Sequence, residues 1–391
     1  MRERVAVFGG ELTAGPVPGG GYRMAARLPY AAAAGVSYPD HLLRRIEGGR
    51  GVIAVLAVVL TAVAIPPLVA RAAGGRPPDP FPKLAALAPL ATLVAFAGVV
   101  VAAFASWWLA LLLSIPALTL LAWQLPPARR TGRETAPAPQ QLPDPGPGAL
   151  TLRVLTLNVL GGSADPAAVV RAVEQHQVDL LVMQELTPGM AHRLADAGLD
   201  TLLPHRHLGP RPGPHGTGLW ARWPLAPLPP VPGLVSAAPR ARIEPVDGCP
   251  VTVTGVHPRP PLGPIVRRWQ QELAAICSAL AGTDGQQVVA GDFNASRDHR
   301  PFRDLLSAGF LDCADAAQRR SWPGFTWPAG RWIPSVMRLD HVLVSRGSAM
   351  VRASRVIRVP GTDHRGVLAV IQLTFRQPPA SAPPARPSPP G

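Results

Sequence analysis

The sequence predicts an α/β (α+β) fold, a mixed sheet or sheet pair flanked by helices, preceded by an N-terminal three-helix transmembrane unit. Three observations carry this expectation. Two long stretches, Val52–Ala70 and Leu84–Ala128, contain no Asp, Glu, Lys or Arg. From Leu152 onward, short apolar runs alternate with segments of helical periodicity. Both crossover and hairpin connections can be read between those runs.

Composition narrows the class before any element is assigned. The 391 residues are 47% hydrophobic and 16% charged, sparse charge for a soluble protein. The 49 prolines and 38 glycines gather in the tails and one linker, which excludes wholesale disorder. Cys249, Cys277 and Cys313 are too few and too far apart for a disulfide scaffold. A buried thiol is the default, and Cys249 with Cys277 is the pairing open to an exported domain. No C-x-x-C or H-E-x-x-H occurs, which disfavours a structural zinc site or a zincin, and no P-loop or Rossmann fingerprint suggests ATP dependence. The net charge of +14 suits a phosphate-bearing partner and equally serves solubility.

The chain is expected to divide into a low-complexity tail (1–50), a transmembrane unit (51–128), a Pro-rich linker (129–149), a globular domain (150–376) and a disordered Pro-rich tail (377–391). A bilayer core takes about 20 apolar residues per helix, so spans are expected at about 52–70, 84–104 and 107–125. Pro66, Pro67, Pro89 and Pro116 are expected to kink these helices, and Trp107, Trp108 and Trp123 to sit at the interfaces. Fifty residues precede the first span, which disfavours a cleavable signal peptide. Arg44, Arg45 and Arg50 before the first span, with Arg2, Arg4, Arg23 and Arg27 further back, stand against Arg71, Arg76 and Lys83 in the first loop and Arg129, Arg130 and Arg133 after the third span; seven against six does not set the orientation. Signal-anchor behaviour of the first span favours a multi-pass cell-membrane protein with its C-terminal globular domain outside the cytoplasm.

In the second half, Leu152–Leu157 and Val178–Met183 read as buried strands. Between them, Ser163 to Asp165 offers a helix cap, Pro166 a first-turn proline, and Val169, Val170 and Val173 one helical face. That is a βαβ unit, with parallel strands. Arg242–Val246 and Pro250–Val256 flank Asp247-Gly248, a hairpin turn. Val266, Trp269, Leu273, Ile276 and Leu280 follow helical spacing, while Val288–Ala290, Leu339–Val344 and Val367–Leu373 supply further strands.

Polar residues stand where these strands end. Asn158 closes LTLN, Glu185 follows VMQ, and His257 ends TVTGVH. Asp292 and Asn294 lie in GDFN, Asp340 and His341 in RLDHVLVS, and Asp363 and His364 in GTDHR. Singly, each reads as a turn residue, a helix cap or an ordinary hydrogen-bonded histidine. Together, at the ends of successive strands, they converge on one rim. Carboxylates and amides are hard oxygen ligands suited to Mg²⁺ or Mn²⁺, with Ca²⁺ as an alternative. Histidines beside carboxylates suit proton transfer or charge stabilisation.

The order LTLN, MQE, GLWARWPL, VHP, GDFN, RLDHVLVS and GTDHR resembles the endonuclease/exonuclease/phosphatase superfamily, which includes deoxyribonuclease-I-like nucleases, sphingomyelinases and inositol-polyphosphate phosphatases. The resemblance implies a four-layer sandwich of two mixed β-sheets with helices outside. It implies Glu185 as principal metal ligand, with Asn158 nearby and Asp363 completing the metal-side carboxylates. Asp292 would align or deprotonate the attacking water, and Asn294 would hold the water or the phosphate. His364 would contact the scissile phosphate with Asp340 fixing its tautomer, and His257 would be a second acid/base. Arg222, before Pro224, is more often structural in such a motif.

The implied activity is membrane-anchored, metal-dependent hydrolysis of a nuclease-like phosphodiester. The alternatives are a lipid or inositol-phosphate phosphodiesterase or phosphatase of the same fold, and a tethered module that binds an anionic ligand without turnover. Partners would be a nucleic acid or lipid head group and the bilayer. Arg267, Arg268, Arg297, Arg300 and Arg303 are candidates for a basic groove, or solvated helix surface. Trp322, Trp327 and Trp332 would form an aromatic rim or simply pack a loop.

Overall fold

The computed structural model describes residues 11–16, 22–27, 49–73, 81–124, 149–262, 265–317, 324–330, 334–347 and 349–374. Trp322, Trp332 and the two Pro-rich segments lie outside these residues. Within the N-terminal region, where the sequence showed no periodicity, β1 (Glu11–Pro16) and β2 (Tyr22–Arg27) pair antiparallel.

The apolar unit begins with α1 (Gly49–Val63) and α2 (Ile65–Ala73), broken just before Pro66-Pro67. A short α3 (Phe81–Ala86) leads into α4 (Ala88–Ala105), and α5 (Trp107–Gln124) follows the turn at Ser106. Pro89 lies in the first turn of α4, where the missing N–H costs nothing, so it starts a helix instead of kinking one. Pro116 is inside α5. Among the described residues, two helical stretches are long and apolar enough to cross a bilayer: Arg50–Arg71 and Ala88–Ala105. The expected third span has a shorter apolar helix, Trp107–Thr119. Trp107 and Trp108 stack at the exposed turn between α4 and α5.

The remaining chain forms two six-stranded mixed sheets with helices outside. Sheet one has the order β13-β14-β3-β4-β6-β5. Its strands are β3 (Ala149–Asn158), β4 (Leu180–Gln184), β5 (His205–Gly209), β6 (Thr217–Ala221), β13 (Ala349–Arg358) and β14 (Arg365–Thr374). Sheet two has the order β11-β12-β10-β9-β8-β7. It comprises β7 (Ala226–Leu228), β8 (Arg240–Val246), β9 (Cys249–Val256), β10 (Gln286–Asp292), β11 (Phe310–Asp312) and β12 (Asp340–Ser345). Only β3 with β4 and β9 with β10 are parallel. Each parallel pair encloses a crossover helix, α6 (Pro166–Gln175) or α9 (Val266–Ala281). Asp165 is the cap of α6, its side chain accepting from Ala167 N at 3.0 Å.

Period-two alternation builds the layers. On β3, Leu152 and Val154 face inward onto Val253, Val288 and Val342 of sheet two. Leu155 and Leu157 face outward under Val169 and Val173 of α6 and under α7 (Pro188–Asp196) and α8 (Leu199–Leu202). On the other side, Val289 and Leu343 meet Trp269 and Ile276 of α9 and Phe302 of α10 (Arg300–Ser307). A last short helix, α11 (Cys313–Ala316), follows β11. The result is a helix–sheet–sheet–helix sandwich. The three cysteines are unpaired. Arg222 has the structural role expected of it, its Nε lying 3.0 Å from Asp179 Oδ1.

Candidate active site

Strand register delivers the polar residues to one rim. Asn158 pairs with Gln184 across the parallel β3–β4 ladder, so Asn158 and Glu185 leave sheet one side by side. In sheet two, Asp292 pairs with Asp340 across β10–β12. Gly291 pairs with Val256 on β9, which brings His257 alongside. Val367 of β14 pairs with Thr156 of β3, so His364, at the strand's entry, arrives near Asn158.

The two sheets meet chemically at one carboxylate oxygen. Asp292 Oδ2 accepts from Asn158 Nδ2 at 3.1 Å and faces His257 Nε2 at 3.6 Å and His364 Nε2 at 3.7 Å. The other oxygen, Oδ1, accepts from Asn294 N at 2.8 Å. Asn158 Nδ2 also donates to Glu185 Oε1 at 3.0 Å, so one amide clamps two carboxylates. Its Oδ1 accepts from Leu160 N, and Glu185 Oε2 accepts from Gly161 N at 2.7 Å. Asn294 Nδ2 donates to Pro258 O at 3.0 Å. Glu185 and Asn294 both adopt left-handed backbone, φ +58° and +47°. For non-glycine residues this conformation is costly, and it persists where surrounding structure holds it.

His364 Nδ1 bonds Asp340 Oδ2 at 2.8 Å. Burial opposes charge on the imidazole, but the carboxylates of Asp340 and Asp292, with the Asp340 hydrogen bond, outweigh it and push the pKa up to about 10. Burial, together with the charge of Asp292, raises Asp340 above the usual carboxylate range. The ligand-type atoms of Asp292, Asp340 and His364 all lie within 4.8 Å of one another, and all three residues are buried. Asp340 Oδ1 and Asp363 Oδ1 are buried without a hydrogen-bond partner. Such orphaned carboxylate oxygens fit a hard divalent cation.

Two expected residues are placed differently from the rest. Asp363 Oδ2 accepts from Trp327 Nε1 at 3.0 Å, so Trp327 packs a loop onto the site. His341 points away: its Nδ1 meets Asp312 Oδ2 at 2.8 Å and its Nε2 meets Ala295 O at 2.9 Å. Most of the arginines proposed for a groove are already engaged. Arg268 pairs with Glu272, Arg297 with Asp315 and Arg300 with Asp304, while Arg303 donates to Arg297 O and Asp298 O.

Several contributors escaped the sequence reading. Thr362 Oγ1 donates to Asn158 O at 2.7 Å and accepts from His364 N, fastening the GTDHR turn to β3. Thr326 Oγ1 accepts from Leu339 N and Asp340 N. His215 and Arg259 add positive or titratable groups beside His257 and Glu185; burial, then the charges of Arg259 and His257, lower the His215 pKa. The threonine of GTDHR was visible as a motif letter, but nothing local marks Thr326 or His215.

No curated protein matches the chain. Among solved structures, an endonuclease/exonuclease/phosphatase from Beutenbergia cavernae DSM 12333 is similar at 19% identity and TM-score 0.45, over 57% of this chain and 72% of that one. D. rerio TDP2 complexed with single strand DNA product is similar at 16% identity and TM-score 0.47, over 56% and 98%. Truncated Caenorhabditis elegans TDP2 is similar at 14% identity and TM-score 0.45, over 56% and 97%. The profile of the Endonuclease/Exonuclease/phosphatase family matches residues 155–364, a span that runs from within β3 to His364 and includes every candidate site residue. The chain belongs to the endonuclease/exonuclease/phosphatase family, and membership supports a hydrolase acting on phosphoester bonds.

Proposed function

We propose that this protein is a divalent-metal-dependent phosphodiesterase of nuclease-like type, held at the cell membrane by its helical unit. The observation that carries the reading is the convergence on Asp292 Oδ2 of one amide and two imidazole nitrogens drawn from both sheets. A buried carboxylate oriented by Asn158 and Asn294 suits a base for an attacking water. His364, protonated and oriented through Asp340, holds a proton at Nε2 where a non-bridging phosphoryl oxygen would gain charge. His257 Nε2, on the same rim, suits protonation of the departing alkoxide. Water adds to phosphorus, the P–O bond to the leaving group breaks, and a phosphomonoester and an alcohol result.

Glu185 with Asn158 at its side, together with Asp363, would hold Mg²⁺ or Mn²⁺, or else Ca²⁺. When bound, that cation draws charge from the phosphoryl group. Asn158 Nδ2 bridges Glu185 and Asp292, Gly161 N fixes Glu185, and Trp327 fixes Asp363. The two apolar helices support anchoring to the cell membrane, with α5 as the third, shorter pass and the catalytic domain outside the cytoplasm.

Hydrolysis of bis-p-nitrophenyl phosphate by the full chain tests the reading. Turnover is expected with Mg²⁺ or Mn²⁺, none in EDTA, and a loss of about 100-fold or more in His364→Ala, the range of a removed acid–base group. Metal-independent turnover, or turnover retained in that variant, would refute it.

A further inference from the structure

A cleft of about 300 Å³ opens where the apolar helices meet the catalytic domain, at the lower limit of small-molecule sites. Its two ends differ chemically. Leu90, Leu93 and Phe96 of α4 and Leu121 of α5 form an apolar wall, and Leu90 and Leu93 are 43% and 68% exposed. The opposite wall carries the guanidinium groups of Arg71, Arg297 and Arg338 against the carboxylates of Asp298 and Asp315. Arg71 pairs with Asp298, and Asp315 is shared by Arg297 and Arg338. Arg338 also meets Asp312, and Arg303 donates to Arg71 O, so four guanidinium groups stand against three carboxylates and leave the polar end positive.

The position of the cleft follows from helix direction. The stretch Arg50–Arg71 runs toward the domain, α4 runs away from Ala88, and α5 returns, so Arg71, Leu90 and Leu121 share one end. That end is fixed to the domain by the Arg71–Asp298 pair, by His299 Nε2 to Pro82 O at 2.9 Å and by Arg303 Nη2 to Arg71 O at 3.3 Å. In a bilayer-anchored chain the cleft therefore lies at head-group depth, its apolar wall open sideways to acyl chains.

We propose that this cleft binds one anionic phospholipid drawn laterally from the bilayer, its phosphate at the arginine end and its acyl chains along Leu90 and Leu93. The inference rests on the membrane-anchored reading above. An amphiphile fits where a free anion does not, because Leu90, Leu93, Phe96 and Leu121 gain only from acyl burial. The site is separate from the Asp292 cluster yet adjoins its supports. Met337, in the cleft wall, accepts through its carbonyl from Thr326 N and Trp327 N, and those residues hold Asp340 and Asp363.

The test uses the full chain in nanodiscs of equal phosphatidylcholine and phosphatidylglycerol, followed by native mass spectrometry of the lipids retained after release. Preferential retention of one phosphatidylglycerol is expected. Arg297→Gln should reduce it about tenfold, the loss of one charge-assisted contact, while Asp315 keeps Arg338 as partner. Leu90→Trp fills the cleft from an exposed position and should reduce retention without disturbing the core. Excess inorganic phosphate should not displace the lipid. Equal retention of both lipids, retention unchanged in both variants, or displacement by phosphate would overturn the proposal. Alkaline carbonate extraction and bis-p-nitrophenyl phosphate turnover on the same preparation separate the causes. A chain that is membrane-bound and active without lipid preference overturns this inference alone, whereas a chain extracted from membranes overturns the anchoring beneath it as well.

Discussion

Replacing Asp340 with Asn tests the proton on His364 directly. The substitution keeps size and a hydrogen-bond acceptor for His364 Nδ1 but removes the adjacent negative charge. In the native arrangement burial opposes protonation, and the charges of Asp340 and Asp292 overcome it, taking the pKa from 6.5 to about 10. Without Asp340 the value should return toward 6.5. At pH 8 the native ring is then almost wholly protonated, whereas about one ring in thirty is protonated in the variant, from the tenfold-per-unit relation. If the Nε2 proton stabilises the phosphoryl oxygen, kcat/KM at pH 8 falls about thirtyfold and recovers as pH approaches 6. The assay is a pH–rate profile of both proteins on bis-p-nitrophenyl phosphate, with circular dichroism to confirm folding. A loss of equal size at every pH would refute the reasoning, since it would mean that Asp340 orients the ring without setting its charge.

The same ion pair makes a stability prediction. Because the folded pKa of His364 is raised, its contribution is complete below pH 6.5 and is lost as pH rises through about 10, which metal-free thermal melts across that window would detect. His299 acts in the opposite sense. Ser296 N donates to its Nδ1 at 2.9 Å, so Nε2 carries the proton given to Pro82 O, and burial lowers the pKa to about 4. Stability should fall as pH drops from 6.5 to 4, by on the order of 3 kcal/mol, and His299→Asn should lack this slope in urea melts. Gly291→Ala should fail differently: the added Cβ would stand 2.0 Å from Val256 O, between two paired strands. Prying them apart costs roughly 1–3 kcal/mol or more, so a urea midpoint equal to that of the native chain would contradict the packing.

Most of the site was legible because strand ends announce themselves. Apolar runs terminating in Asn158, Glu185, His257 and Asp292 gave both the sheet elements and the rim. Only the family resemblance, not the local pattern, separated Asp340 from His341, adjacent on one strand. In the folded sheet, period-two alternation resolves them, sending Asp340 to His364 and His341 to Asp312 on the opposite face. Nor did the local pattern distinguish groove arginines from pairing ones, because the partners of Arg297 and Arg338 meet only in the folded chain. Strands β5 and β13 passed unnoticed. β5 reads HRHLG, half-buried at a sheet edge, and β13 alternates irregularly around a bulge between Val351 and Ala353. In the apolar helical unit, absence of charge located the helices, but it could not show that the apolar part of the third is the shorter stretch Trp107–Thr119.

The arrangement also ties the helical unit to the candidate site. Asn158 and Asp292 bond across 134 residues, so the cluster exists only when the two sheets are packed. The segment that follows Asp292 is then secured at both ends. Ala295 O accepts from His341 on β12, while Asp298, His299 and Arg303 hold Arg71 and Pro82 of the helical unit. His299 is fully buried in that junction, with both ring nitrogens engaged, which a merely tethered domain would not require. Removing the helices would uncover His299 and free the segment beside Asn294. A domain cut out at the linker should therefore show a weakened Asn294–Pro258 contact and lower turnover even on a soluble diester, and its His299 should titrate nearer 6.5 by proton NMR. An isolated domain with native turnover and a His299 still near 4 would mean that the helices serve as an anchor alone.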